Sequence, residues 1–348
     1  MRQAPIYLFL LLLCTVAAYG GRRHSDFVYC EGTRLMLHGK PFQSVGTNVF
    51  TLSGCGHAWE NFSPRQTDSL FASFPRDFIV RTWAFPGNEG QLEGIISTAR
   101  KHHIRLILSL GDGRSSCGHF DGSSKGDNSG KVPSWYSDGY KQEYLPHVVR
   151  TVSRYRHESC IAMWEVINEP GEAEPAVLAH FTDTVAGVIK SIDPKHLVTV
   201  GCFGPWAYGG PKGYQNLLAS QHVDVGAMHE YDYDYQESNQ IESPHFANAL
   251  RMMQELGKPL IISETGIESG PLPCRTSPSK RVEAMREKFD VYLRGGASMV
   301  LVWNLTHEVR SNGFSYSVSD PLLEMLKQYH SELPGNTITE NKKQAKRR

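Results

Sequence analysis

Eight times along this sequence a short apolar run gives way to an amphipathic or irregular stretch, and this alternation limits the possible folds more than any other feature. The runs are "FQSVGT" (42–47), "DFIVRTW" (77–83), "IRLILSL" (104–110), "IAMWEVIN" (161–168), "LVTVG" (197–201), "VDVGAMH" (223–229), "PLIISET" (259–265) and "SMVLVWN" (298–304). Near-continuous apolar strands are covered on both faces, and strands separated by helical crossovers run parallel. Helical patterns are expected at Pro64–Phe74, 89–103, 141–157, Ala173–Ile192, Phe246–Leu256, Pro278–Leu293 and Pro321–Leu333, with a lead-in at Phe27–His38 and a loop-rich crossover after the fifth strand. Eight such units in 348 residues favour α/β architecture as a single (β/α)8 TIM barrel. The rival, a doubly wound sheet, lacks a strand–GxGxxG–helix unit to support it.

In such a barrel the functional residues gather at the carboxyl ends of the strands. Those ends carry Arg81 and Trp83 on the second strand, Asn168 and Glu169 on the fourth, His229 on the sixth, Glu264 on the seventh and Trp303 on the eighth. Two carboxylates on one rim suit glycoside hydrolysis, where one protonates the leaving oxygen and the other attacks the anomeric carbon or activates water. Trp83, Trp135, Trp206 and Trp303 offer stacking surfaces for sugars. "MWEVINEP" (163–170) poses a geometric problem, because strict alternation sends Asn168 and Glu169 to opposite faces. A bend or bulge before Pro170 would bring both to the pocket. Glu165 shares parity with Glu169 but lies deeper, and is expected to be a buried, hydrogen-bonded structural group.

The remaining features bound the setting. Thirty-six basic and 36 acidic residues leave no net charge to attract polyanions, so nucleic acid is not expected as a partner. Residues 1–20 read as a signal peptide, with Arg2 ahead of an apolar run from Ile6 to Ala18, so a secreted protein with no membrane association after cleavage is expected. The catalytic domain is expected over 21–334 and a polar, basic, disordered tail over 335–348. Of the seven cysteines, Cys14 lies in the leader. Sorted by barrel end, Cys30 and Cys160 fall on the amino-terminal side and Cys55, Cys117, Cys202 and Cys274 on the site side, with Cys30–Cys160 the preferred disulfide. Sequons stand at Asn61 and at Asn304, the second expected to be unused beside the cavity mouth. "HEYDYDYQE" (229–237) lacks the turn glycine and spacing of a calcium loop; its tyrosines read as a cleft wall, and no metal is expected. The Gly/Ser/Asp-rich stretch 111–130 reads as a lid or rim.

"IVRTWAF", "WEVINEP", "AMHEYDY", "ISETG" and "LVWN", in that order, resemble the signatures of glycoside hydrolase family 5, a retaining (β/α)8 family, and are most similar to its endo-β-1,4-mannanases. The resemblance implies Glu169 as acid/base and Glu264 as nucleophile, Asn168 on the sugar 2-hydroxyl, Arg81 and Tyr231 on the nucleophile, His229 orienting the pair and Trp303 under the cleavage subsite. It implies no cofactor, and a β-linked polysaccharide or oligosaccharide as the substrate of a monomer. Arg81 is then expected to lower the pKa of Glu264, and an ionised neighbour to raise that of Glu169. The sequence departs from the family at "GDGRSSCG" (111–118), where polar His or Asn is frequent, and at Thr265, where Phe is common. A cellulase or other β-glucanase, and a non-catalytic carbohydrate-binding protein, remain the alternatives.

Overall fold

The eight apolar runs form strands whose every residue is buried: β1 (Ser44–Asn48), β2 (Ile79–Trp83), β3 (Arg105–Ser109), β4 (Ile161–Asn168), β5 (Leu197–Gly201), β6 (Gly226–Glu230), β7 (Leu260–Thr265) and β8 (Met299–Val302). The computed structural model describes residues 26–54, 60–87, 89–114, 130–235, 240–270, 276–307 and 313–336. The strands are parallel, in the order β5-β4-β3-β2-β1-β8-β7-β6. The two edges approach each other, with the backbone N–H groups of Asp224 and Val225 donating to the Val198 carbonyl at 2.8 and 3.1 Å. The result is a (β/α)8 barrel, as expected from the alternation.

Alternate residues divide between two apolar regions. Val80, Leu106, Val198 and Ile262 face the helices, while Ile79, Ile107, Met163, Ile261 and Leu301 fill the barrel floor. Val28, Leu35, Leu37 and Phe42 join that floor from a small antiparallel sheet, Tyr29–Glu31, Arg34–Leu37 and Lys40–Pro41. The lead-in is therefore a plug on the amino-terminal mouth. Each such side chain contributes roughly 1.5–3 kcal/mol on full burial. With one mouth sealed by hydrocarbon, the polar residues of the strand interiors collect at the other.

The helices begin where the sequence provides start signals. Pro64, Pro175, Pro211, Pro278 and Pro321 each open one, and a proline there sacrifices no intrahelical hydrogen bond. Ser63 and Gln66 form a capping box, and Asp320 caps the helix Pro321–Glu332. The crossover after β5 is not simply loop-rich, because it contains the helix Pro211–Leu218. Its signal is short: Tyr214, Leu217 and Leu218 are buried at helical spacing behind a glycine-rich lead-in. Among the described residues, no helix is long and apolar enough to cross a membrane.

The expected Cys30–Cys160 disulfide is absent, and both thiols are free. Cys30 Sγ lies 3.9 Å from the Asp224 carbonyl and packs on the barrel floor, whereas Cys160 Sγ lies 3.7 Å from the Ile96 carbonyl on the helix side, so the two face different parts of the core. Sorting by barrel end ignored position around the barrel. Cys202, on the site side, is also a free buried thiol, whereas Cys55, Cys117 and Cys274 lie outside the described residues. Asn304 is 2% exposed, which closes its sequon to an oligosaccharide.

Candidate active site

Strand alternation turns Arg81 inward behind Ile79, and the guanidinium becomes the centre of the open mouth. All five of its N–H donors are engaged. Nε and Nη2 donate to Glu165 Oε2 and Oε1 at 2.8 and 2.7 Å, and Nη2 also donates to Asn168 Oδ1 at 2.7 Å. Nη1 donates to Asn48 Oδ1 at 2.8 Å and to Glu264 Oε1 at 2.6 Å. Gly201 on β5 leaves room for this arrangement, since a Cβ there would lie 2.9 Å from Glu165 Oε1 and 3.1 Å from Arg81 Nη2.

Strand irregularities bring the remaining residues to the same side. β4 slips register against β5 between Glu165 and Asn168. Glu169 then adopts φ 43°, a left-handed conformation uncommon for a non-glycine residue, and its N–H donates to the Gly201 carbonyl at 2.7 Å. β7 slips against β6 between Ile262 and Glu264. The parity difficulty at Asn168 and Glu169 is resolved by a bulge followed by a turn, and a second bulge serves Glu264.

His229 lies between the two carboxylates, with Nδ1 2.9 Å from Glu169 Oε1 and 3.5 Å from Glu264 Oε2. One oxygen from each glutamate and a ring nitrogen of His229 all fall within 4.8 Å of one another. The Tyr231 hydroxyl donates to Glu264 Oε2 at 2.8 Å. Although a trio of this kind could ligate a metal ion, Arg81 already supplies a cation to Glu264 and would repel a second.

Burial dominates the electrostatics. It pushes the Glu169 carboxyl up to about 7, against the pull of Arg114 and Arg81. The expected cause, an ionised neighbour, is secondary. Burial also raises the pKa of Glu264, with His229 and Arg81 pulling it back and Glu169 adding to the rise. The expected net lowering by Arg81 is thus outweighed by desolvation. Glu264 remains the better placed of the two to hold charge, because Arg81 and Tyr231 both donate to it. Burial takes His229 down to about 4, so the imidazole is neutral at neutral pH. The arrangement sets a carboxyl that holds its proton up to about pH 7 across a narrow gap from one that accepts from Arg81 and Tyr231.

The tryptophans occupy unequal positions. Trp303 is partly buried and stacks on Phe50 at 5.4 Å, beside Trp83 at 5.9 Å. Trp83 is only 2% exposed, between Arg81 and Phe85, so it backs the site instead of presenting an open face. Trp135 is buried against Tyr136 and Phe181 on a helix and is not a stacking surface of the mouth. Trp206 is 56% exposed and borders a cleft of about 720 Å³ with Arg114, Pro170, Glu172, Phe203 and Tyr208. Tyr233 faces Lys288 on the outer side of the barrel, so it does not extend the expected tyrosine wall.

Asn48 and Asp112 were missed as site residues in the sequence. Asp112 Oδ1 accepts from Asn168 Nδ2 at 3.0 Å and from the Arg114 N–H at 3.1 Å, and burial raises its pKa to about 6. Both stand at strand ends, on β1 and just after β3, so reading every strand end would have found them.

Comparison with known proteins places the chain among glycosidases. The family described as Cellulase (glycosyl hydrolase family 5) matches residues 92–294. A probable mannan endo-1,4-beta-mannosidase A of Aspergillus flavus is 27% identical over 288 residues, covering 70% of this chain and 72% of that protein. Mannan endo-1,4-beta-mannosidase 5 of Arabidopsis thaliana is 26% identical, covering 83% and 80%. The crystal structure of an endo-1,4-beta-mannanase from Rhizomucor miehei superposes with a TM-score of 0.66 at 21% identity, covering 87% of this chain and 98% of that one.

Proposed function

The chain belongs to glycosyl hydrolase family 5, and from that premise we propose that it is a secreted, retaining endo-β-1,4-mannanase acting by double displacement. The observation that carries the reading is the pair Glu169 and Glu264, opposed across the mouth with oxygens within 4.8 Å. Retaining glycosidases hold their carboxyl groups about 5–5.5 Å apart, whereas inverting enzymes need roughly 6.5–9.5 Å to admit a water. In the first step Glu264 attacks the anomeric carbon as Glu169 gives its proton to the departing glycosidic oxygen. In the second, Glu169 takes a proton from water as that water displaces Glu264. Asn168 spends one amide hydrogen on Asp112 and keeps the other for the sugar 2-hydroxyl. Trp303 provides the floor and Trp206 a further sugar contact, while Trp83 supports them from behind, and neither cofactor nor metal is required.

Support for mannan comes from the names of the sequence relatives. Support for export comes from the apolar run at Ile6–Ala18. A cellulase is the second reading, favoured by the description of the matched family. The test is product release from the mature protein on mannan, glucomannan and cellulose, with Glu169→Gln and Glu264→Gln as controls. Mannan cleavage lost in both variants is the expected result. Cleavage of cellulose alone would keep the chemistry and discard mannan. Tight binding of all three without hydrolysis would make the protein a carbohydrate-binding one.

A further inference from the structure

Behind the nucleophile, on the helix side of the barrel, a charged pair is fully enclosed. Lys288, on the helix Pro278–Gly295, donates through Nζ to Glu230 Oε2 at 2.5 Å, and both side chains are 0% exposed. Thr265 Oγ1 donates to the same oxygen at 2.7 Å. The other Glu230 oxygen accepts from the Asp232 N–H at 3.0 Å.

These contacts meet at the two residues that border the site chemistry. Thr265 follows Glu264 directly; after the slip β7 regains register with β6 at Glu264 and with β8 at Thr265, whose cross-strand partners are Glu230 on β6 and Val302 on β8. Its carbonyl accepts from the Trp303 N–H at 2.8 Å. Tyr231, which donates to Glu264, lies between Glu230 and Asp232, the two residues joined by the Glu230 bond. One carboxylate therefore holds the nucleophile's neighbour and the turn that carries the nucleophile's hydrogen-bond donor.

A buried ion pair offers little net stability over hydrophobic replacements, because desolvation offsets the attraction. What it supplies is a fixed geometry. We propose that Lys288, Glu230 and Thr265 form a positioning strut that sets the β7 bulge and the Tyr231 turn, and so aims Glu264 at the anomeric carbon. None of the three touches substrate; they act through Glu264 and Tyr231. The proposal rests on the reading of Glu264 as the attacking group.

The test turns on Thr265→Val, which keeps the side-chain shape and removes the donated hydrogen bond, compared with Thr265→Ser, which restores the hydroxyl. Lys288→Met is a harsher companion that strands the Glu230 charge. Kinetics use whichever β-glycan the wild type cleaves. Thr265→Val is expected to lower kcat about tenfold while KM changes by no more than about twofold, and Thr265→Ser to recover most of that loss, since a misaimed reacting group affects the chemical step before it affects binding. In a crystal structure of Thr265→Val, the 2.8 Å Tyr231–Glu264 contact is expected to lengthen or break. Unchanged kcat in Thr265→Val, or an equal loss in Thr265→Ser, overturns the strut. If the wild type cleaves no β-glycan, the hydrolase reading fails by itself, and the crystal structure still decides whether the strut holds the Tyr231–Glu264 contact.

Discussion

Arg81 grips both oxygens of Glu165, at 2.8 and 2.7 Å, with neither side chain exposed. The fork fixes the guanidinium plane, so the remaining donors can reach only where Asn48, Asn168 and Glu264 lie. Glu165 is thus the anchor of a group that in turn holds Glu264. Glu165→Gln replaces one accepting oxygen with an NH2 group that repels the guanidinium. Breaking a buried charged pair from one side costs about 3–5 kcal/mol. The expected outcome is a clear fall in Tm by calorimetry, together with a loss of kcat of about tenfold or more as Arg81 turns. A variant with wild-type Tm and kcat would show that the fork is not the anchor.

The pH dependence of stability should expose Glu169. Its carboxyl is raised from an ordinary 4.5 to about 7, so its contribution to stability is fully present below pH 4.5 and is lost as pH rises to about 7. His229 is lowered from 6.5 to about 4, so its contribution is present above pH 6.5 and lost as pH falls to about 4. The two slopes oppose each other across the same window. Glu169→Gln removes the first. The variant's stability relative to wild type should therefore grow from near zero at pH 4 to up to about 3 kcal/mol at pH 8, at about 1.4 kcal/mol per pKa unit. Tm measured for both proteins across that range tests it, and a difference that does not widen with pH would refute the assignment.

The same carboxyl should set the alkaline limb of the rate. A proton donor must be protonated, so kcat/KM on a polysaccharide is expected to fall as pH rises through about 7. An aryl glycoside whose leaving group needs no protonation bypasses that requirement in its first step. Its bond-cleavage step should show little of the alkaline limb. If both substrates lose rate along the same curve, the titrating group is something other than the acid.

Trp83 and Trp206 should respond in opposite ways to alanine. Trp83 is enclosed by Arg81 and Phe85, so Trp83→Ala is expected to cost about 3–5 kcal/mol of stability. Trp206 is mostly exposed on the cleft wall, so Trp206→Ala should change stability by less than about 0.5 kcal/mol. It should instead raise KM several-fold, since a lost ring contact removes about 0.5–1.5 kcal/mol. Tm and KM of the two variants provide the comparison.

Fold and site were not equally readable from the sequence, for physical reasons. β4 and β7 are visible because a strand buried on both faces is mostly apolar, and "IAMWEVIN" and "PLIISET" keep their polar residues toward the site end. Glu169 and Glu264 stand out because a carboxylate ending such a run has no place in a packed core. The register slips that aim them involve backbone geometry that no side-chain pattern announces, apart from the hint of Pro170. The Glu165–Arg81 fork was hidden because a buried acid looks the same in sequence whether it anchors the site or simply fills the core. Trp83 was misjudged as an open platform because alternation says that a side chain points inward, and says nothing about what covers it there.

The free cysteines yield the most direct check on a correction. Burial raises the Cys30 thiol to about 12 and Cys160 to about 11, and pushes Cys202 well above its ordinary 9.0. Alkylation proceeds through the thiolate, so three pKa units at Cys30 cut its reactive fraction about a thousandfold, before shielding is counted. In native protein at pH 8, without reductant, iodoacetamide is therefore expected to leave Cys30, Cys160 and Cys202 unmodified. After unfolding in guanidinium, still without reductant, all three should react. Peptide mapping reads both states. A Cys30–Cys160 cross-linked peptide, or a thiol that stays blocked after unfolding, would restore a disulfide to the protein.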